Sequence, residues 1–209
     1  MVRIFPFIFI LLWSSAFITT KPIIDNSDPF SALAFRFFFV ALGFYLFSIY
    51  TKHSIAVSKK NLLESFFSGV LFHGFYLGGV FYSISIGMPT GIAALIVTLQ
   101  PILTNALSGS LLGEKVTTKQ WVGVLLGFAG ATLVLGMDIG SGIPMLGLVA
   151  TVVALIAITA STIWQKKLSN NLPLTVSNFY QAMGGCLFHI LIITIFAKLL
   201  QNLIDYKNQ

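Results

Sequence analysis

Gln100, Thr104 and Ser108 recur every four residues inside an apolar run, so a helix would set an amide and two hydroxyls on one face. Asn105 lies beside that face, and Pro101 removes a backbone donor and can kink the helix, freeing a carbonyl. An amide, a hydroxyl and a free carbonyl suit a polar solute, and the same groups also serve as hydrogen-bonding glue between helices. In the preceding run His73, Tyr76 and Ser83 share a face, with Tyr82 near its far end. An imidazole titrating near about pH 6.5 suits a proton relay, whereas a hydrogen-bonded packing histidine is the commoner role at membrane depth. Trp13 and Phe17, one turn apart, fit either the aromatic wall of a cavity or a packing face. Arg36 falls about 10 Å into its run at about 1.5 Å per residue. There it either snorkels to the interface or anchors a solute carboxylate or a structural partner. The candidate substrate-binding set is therefore Trp13, Phe17, Arg36, His73, Tyr76, Gln100 and Thr104.

Other chemistries lack their residues. His53, His73 and His189 have no metal-ligand spacing, and no Gly-rich loop follows a strand. A single cysteine, Cys186, rules out an internal disulfide and a multi-cysteine metal site. No acidic residue lies deep in an apolar run, so no carboxylate proton carrier is expected. Neither a catalytic residue nor a cofactor nor a metal is expected, and the chain does not read as an enzyme. The glycines fall within helices instead. Gly123 and Gly127 form G-x-x-x-G and Gly130 extends the face, a pattern that serves both packing inside a bundle and dimerisation.

The elements that would position these groups are membrane spans. The chain has 209 residues, 56% hydrophobic and 9% charged, with a mean hydropathy of +0.92. A soluble domain carries about 25% charged residues. The net charge of +6 would suggest nucleic acid in a soluble protein, but here the basic residues lie between apolar runs and no nucleic-acid partner is expected. A span needs roughly 20 apolar residues, and seven are expected, at about 4–22, 30–50, 65–86, 91–112, 119–136, 145–164 and 176–197. Ser65–Gly113 contains no Asp, Glu, Lys or Arg, and the cluster Gly87-Met-Pro-Thr-Gly91 divides it into a hairpin. Asp25–Pro29, Gly140–Pro144 and Ser169–Pro173 mark further breaks, each ending in proline near the next helix start. The first run has signal-peptide features, Arg3 and the small residues Ser14-Ser-Ala16, but it continues apolar toward Thr20 and is expected to be retained.

With the N-terminus inside, eight of the twelve basic residues fall on the inner side: Arg3, Lys52, Lys59, Lys60, Lys115, Lys119, Lys166 and Lys167. Asp25, Asp28 and Asp138 then lie outside. The bias predicts a multi-pass protein of the cell membrane, N-terminus cytoplasmic and C-terminus outside. A faint internal repeat relates Ile10–Lys21 to Ile156–Lys167, and Pro29–Phe35 to Pro173–Phe179. The copies begin five helices apart, so the second must insert upside down, an arrangement common in secondary transporters.

Several motifs together carry a family resemblance. They are Trp13-Ser-Ser-Ala-Phe17, Pro29 with Arg36-Phe37, Gly91-Ile-Ala-Ala-Leu with Gln100-Pro101, Leu112-Gly-Glu-Lys115, Gln120-Trp-Val-Gly123 and Gly127-Phe-Ala-Gly130. They resemble the EamA-type drug/metabolite transporters. The resemblance implies an all-α polytopic bundle, with residues 1–136 one five-helix repeat and 145–209 two helices of an inverted second. It also implies export or exchange of small metabolites such as amino acids or drug-like amphiphiles by alternating access, driven by a proton or solute gradient. For Glu114 it implies a hinge contact with the fifth helix, where the residue type alone equally fits a solvated end charge. Family members have ten helices and this chain supplies seven, so a fragment, a disrupted reading frame, a non-transporting membrane subunit, or a chain completed by a homodimer or other partner are all open.

Overall fold

The computed structural model describes residues 4–113, 117–135, 142–168 and 172–207. Helices stand at all seven expected places: α1 (Phe5–Asn26), α2 (Pro29–Tyr50), α3 (Lys59–Ser85), α4 in two pieces (Thr90–Val97 and Gln100–Leu112), α5 (Thr118–Leu135), α6 (Met145–Leu168) and α7 (Leu174–Lys207). No strand occurs among the described residues. Among the described residues, five helices are long and apolar enough to cross a membrane, by length and composition: α2, α3, α4, α6 and α7. The fold is an all-α polytopic bundle.

Local chemistry sets the helix ends. Asp28 caps α2, accepting the Ser31 N–H at 2.7 Å with Pro29 in the first turn. Ser58 caps α3 in the same way, through Asn61 N–H at 3.2 Å, so this helix starts with a polar turn ahead of its apolar run. The tight α3–α4 turn uses Gly87 at φ +99°, a conformation glycine adopts without steric cost, and Pro89 then precedes α4. Proline likewise precedes α6 and α7, at Pro144 and Pro173. The helix α7 runs past the expected end near residue 197, because its later residues continue helical with polar side chains such as Lys198 and Gln201.

The central element is α3. One core joins it to α4 and α6 through Tyr76, Val80, Ile84, Ala93, Val97, Ala154 and Ile158. A second joins it to α2 and α7 through Leu33, Phe37, Ala41, Phe81, Ala182 and Cys186. Glycines permit the closest approaches. A Cβ on Gly69 would collide with the backbone of Gln181, and one on Gly184 with the carbonyl of Phe66, so α3 and α7 cross backbone to backbone. Between these contacts and the Gly78–Ser85 end of α3, Val70–Leu77 winds as a π-helix. The helices α2 and α7 pack antiparallel, with Phe30 near Phe196 and Tyr45 near Phe179.

Serine and glutamine side chains hydrogen-bond between α3 and α6 and along α7. Ser68 and Ser161 hydroxyls lie 3.1 Å apart, the Ser161 hydroxyl also reaches the Ser68 carbonyl at 3.1 Å, and the Gln165 amide donates to Ser161 at 3.1 Å. The Gln181 amide donates to Ser177 at 3.0 Å. Away from water such groups must find each other.

Candidate functional site

A cavity of about 200 Å³ opens among α1, α2 and α3. Leu12, Trp13, Ala16 and Thr20 line it from α1, Arg36 from α2, and Tyr76, Leu77, Val80 and Phe81 from α3. Three of the expected residues, Trp13, Arg36 and Tyr76, thus meet in one place. The Arg36 guanidinium carbon stands 5.7 Å from the Phe37 ring centroid, a cation–π contact. No carboxylate pairs with Arg36 among the described residues. Tyr76 is 3% exposed, and its hydroxyl has no hydrogen-bond partner among them. The Thr20 hydroxyl is already committed, donating to the Ala16 carbonyl at 2.7 Å. The cavity therefore offers an uncompensated cation and a free phenol set in apolar walls. That is the chemistry that receives an amphiphile with an anionic or carbonyl end.

The remaining expected residues fall elsewhere. His73 lies on the same π segment as Tyr76 but turns toward Phe37, its ring centroid 4.4 Å from that ring. His189 Nε2–H donates to the His73 carbonyl at 3.0 Å. Gln100 and Thr104 do not line this cavity. The Gln100 amide donates to Thr104 at 3.1 Å and, across to α6, to Thr162 at 3.2 Å. Pro101 sits in the first turn of the second piece of α4, just after the helix breaks at Thr98–Leu99. The side chains of Phe17 and Ser108, and all of Glu114, lie outside what the structure describes. A Cβ on Gly123, Gly127 or Gly130 would meet nothing within 4 Å among the described atoms, so this face of α5 packs against no described helix.

Sequence reasoning missed several groups. Val80 and Phe81 follow Tyr76 along α3 at helical spacing and were readable as one wall. Thr20 lies one turn beyond Ala16 and carried the same signal. His189 was noted only for lacking metal-ligand spacing. Nothing local in the sequence pairs it with His73, because the two are 116 residues apart.

Helices throughout the described residues, several of them membrane-length and apolar, define a polytopic membrane protein. The EamA-like transporter family matches residues 3–136, and the chain belongs to that family. That family is one of transporters, not of enzymes. The chain is 26% identical over 163 residues to the "Probable amino-acid metabolite efflux pump" of Escherichia coli K12, covering 78% of this chain and 52% of that protein. The protein of the same description from Salmonella typhimurium is 25% identical over 165 residues, covering 78% and 53%. The "Uncharacterized transporter YvbV" of Bacillus subtilis is 21% identical over 187 residues, covering 84% and 60%. The chain spans about half the length of the first two relatives. No solved structure matches it significantly.

Proposed function

We propose that this chain carries small amphiphilic metabolites, amino acids or drug-like carboxylates, outward or in exchange across the cell membrane. The solute would lodge in the Trp13–Arg36–Tyr76 cavity. The observation that carries this reading is Arg36: a cation with no carboxylate partner among the described residues, at a cavity wall, beside a free phenol. Such a group is costly within a membrane protein, and an anion visiting the cavity would offset that cost. In this reading residues 1–136 form one repeat and 145–209 begin an inverted one. The antiparallel contact of α2 with α7, whose first residues resemble each other, is the contact that a pseudo-twofold axis in the membrane plane would produce. Alternating access would rock these units about the cavity, drawing on a proton or solute gradient. The relatives named as amino-acid metabolite efflux pumps support the solute class.

The test uses Trp13 as reporter, with Trp121 and Trp164 replaced by Phe. Amino acids and amphiphilic carboxylates are titrated against the purified protein while its fluorescence is followed. Arg36→Gln should abolish the response and Arg36→Lys should weaken it, since lysine offers a point charge without the guanidinium fork. Equal titration by Arg36→Gln would overturn the assignment of this cavity.

A second reading, a non-transporting subunit that works only with a partner, is favoured by the Gly123–Gly127–Gly130 face of α5, which has no described neighbour. Gradient-driven uptake by proteoliposomes holding this chain alone would exclude it.

A further inference from the structure

Two imidazoles meet where α3 packs on α7, and neither lines the Trp13–Arg36–Tyr76 cavity. His189 is fully buried, and its Nε2–H donates to the His73 carbonyl at 3.0 Å. The Nδ1 atoms of both rings are buried and have no hydrogen-bond partner among the described residues. Glycines make the room. A Cβ on Gly78 would stand 3.0 Å from Cε1 of His189, and one on Gly185 would collide with the Cβ of His73. Both rings pack on Phe37, the His73 centroid 4.4 Å and the His189 centroid 6.0 Å from that ring.

The Arg36 guanidinium packs on the same ring, 5.7 Å from its centroid. Arg36 and His73 therefore lie within about 10 Å of each other, a range at which salt screens buried charges little. The other titratable groups around the pair are few. Tyr76 shares the π segment with His73, and Asp28 of α2 acts on His189. Cys186, on α7 with His189, donates to the Ala34 carbonyl. From α1 come Lys21 and Asp25, which pair with each other. In sequence α4 has no charged residue, and α6 has only Lys166 and Lys167 in its last turn. No described carboxylate forms an ion pair with Arg36 or with either histidine.

A neutral imidazole keeps one ring nitrogen free to take a proton. A proton on His73 would set a second cation near Arg36 with no anion to balance them, a costly arrangement within a membrane. A carboxylate held at Arg36 offsets that cost, and the proton in turn strengthens the hold on the carboxylate. Linkage makes the two effects equal.

We infer that His73 is a proton site coupled to the solute cavity. As one anionic solute binds at Arg36, one proton from solution bonds to the free ring nitrogen of His73, and the two travel as a neutral load. His189 is a positioning residue, holding the His73 backbone through its Nε2–H. The coupling rests on the reading of the cavity as a seat for anions.

The test titrates the full chain in detergent with N-acetylleucine, a carboxylate ionised throughout, at about pH 5.5 and about pH 8, on either side of an ordinary imidazole. Trp13 fluorescence reads affinity, and calorimetry in two buffers of unlike ionisation heat counts the protons taken up. Affinity should be about tenfold higher at the lower pH, with net proton uptake on binding. His73→Gln should bind equally at both pH values and take up no proton. The double variant His53→Gln/His189→Gln leaves His73 the one histidine of the chain and should keep both effects. Binding without proton uptake by the wild type, pH dependence that survives His73→Gln, or its loss in the double variant would each overturn the coupling. Equal binding by Arg36→Gln would instead overturn the cavity reading, and no binding at either pH would overturn both.

Discussion

The Nε2–H of His189 on α7 donates to the backbone carbonyl of His73 on α3, at 3.0 Å. A carbonyl can only accept, so His189 carries its proton on Nε2, and its Nδ1 is a buried acceptor with no partner among the described residues. The bond lands inside the π segment, where the backbone departs from α spacing. Replacing His189 by Leu should lower stability by about 0.6–2 kcal/mol, the range of interhelical hydrogen bonds. His189→Gln keeps an N–H donor and should recover part of that loss. Thermal melting of the three proteins in one detergent decides it, and equal melting of Leu and Gln variants would show that the bond contributes nothing.

Gln100 links α4 to α6 through Thr162. Gln100→Leu and Thr162→Val should each destabilise, and the double variant should cost less than their sum, by about 0.6 kcal/mol. Solute titration on the same samples adds a second readout. Loss of solute binding in Gln100→Leu at unchanged stability would place the amide in a solute path after all.

The glycines divide into two groups with opposite expected responses. Gly69→Ala and Gly184→Ala would drive a methyl into the backbone of the facing helix. Both should melt several degrees lower or fail to accumulate, as overpacking costs about 1–3 kcal/mol. Gly123→Ala and Gly127→Ala have open space and should be neutral or slightly stabilising in the isolated chain, since alanine favours helix over glycine by about 1 kcal/mol. Limited proteolysis of the four variants at one temperature ranks them. A sensitive α5 pair beside a tolerant crossing would invert the assignment.

Orientation is testable with single cysteines. Cys186 is 9% exposed, against the Ala34 carbonyl, and is first changed to Ala. An impermeant maleimide added to intact cells should label Asn26→Cys and leave Ser54→Cys unlabelled until the cells are opened. The reverse pattern would invert the orientation read from the basic residues.

Helix positions were legible in the sequence because hydropathy and turn chemistry are local. Asp28-Pro29 and Gly87–Thr90 announce their breaks within a few residues. Contacts between helices were not, because they depend on which faces meet. The G-x-x-x-G spacing at Gly123 drew attention to α5, yet the glycines that permit close crossing are Gly69 and Gly184, which lie on different helices and show no shared motif. For the same reason Trp13, Arg36 and Tyr76 were singled out separately and could not be assembled, while Gln100 and Thr104, named in the same set, stand apart from them beside α6. The apolar length of α3 was readable, but its π winding was not, since His189 and the glycines packed around it come from far along the chain.

That winding makes α3 a torsional joint. Turns closed one residue wider than α turns hold a phase difference between the two ends of the rod. Were Val70–Leu77 to rewind as α-helix, the Gly78–Ser85 end would rotate about its own axis relative to Lys59–Gly69. Both ends are held, Gly69 against Gln181 and Ser68 tied to Ser161 at one, Gly79 close against the Ala150 carbonyl at the other. Rewinding would therefore turn Val80 and Phe81, one cavity wall facing Arg36, only together with the α6 and α2–α7 residues packed on them.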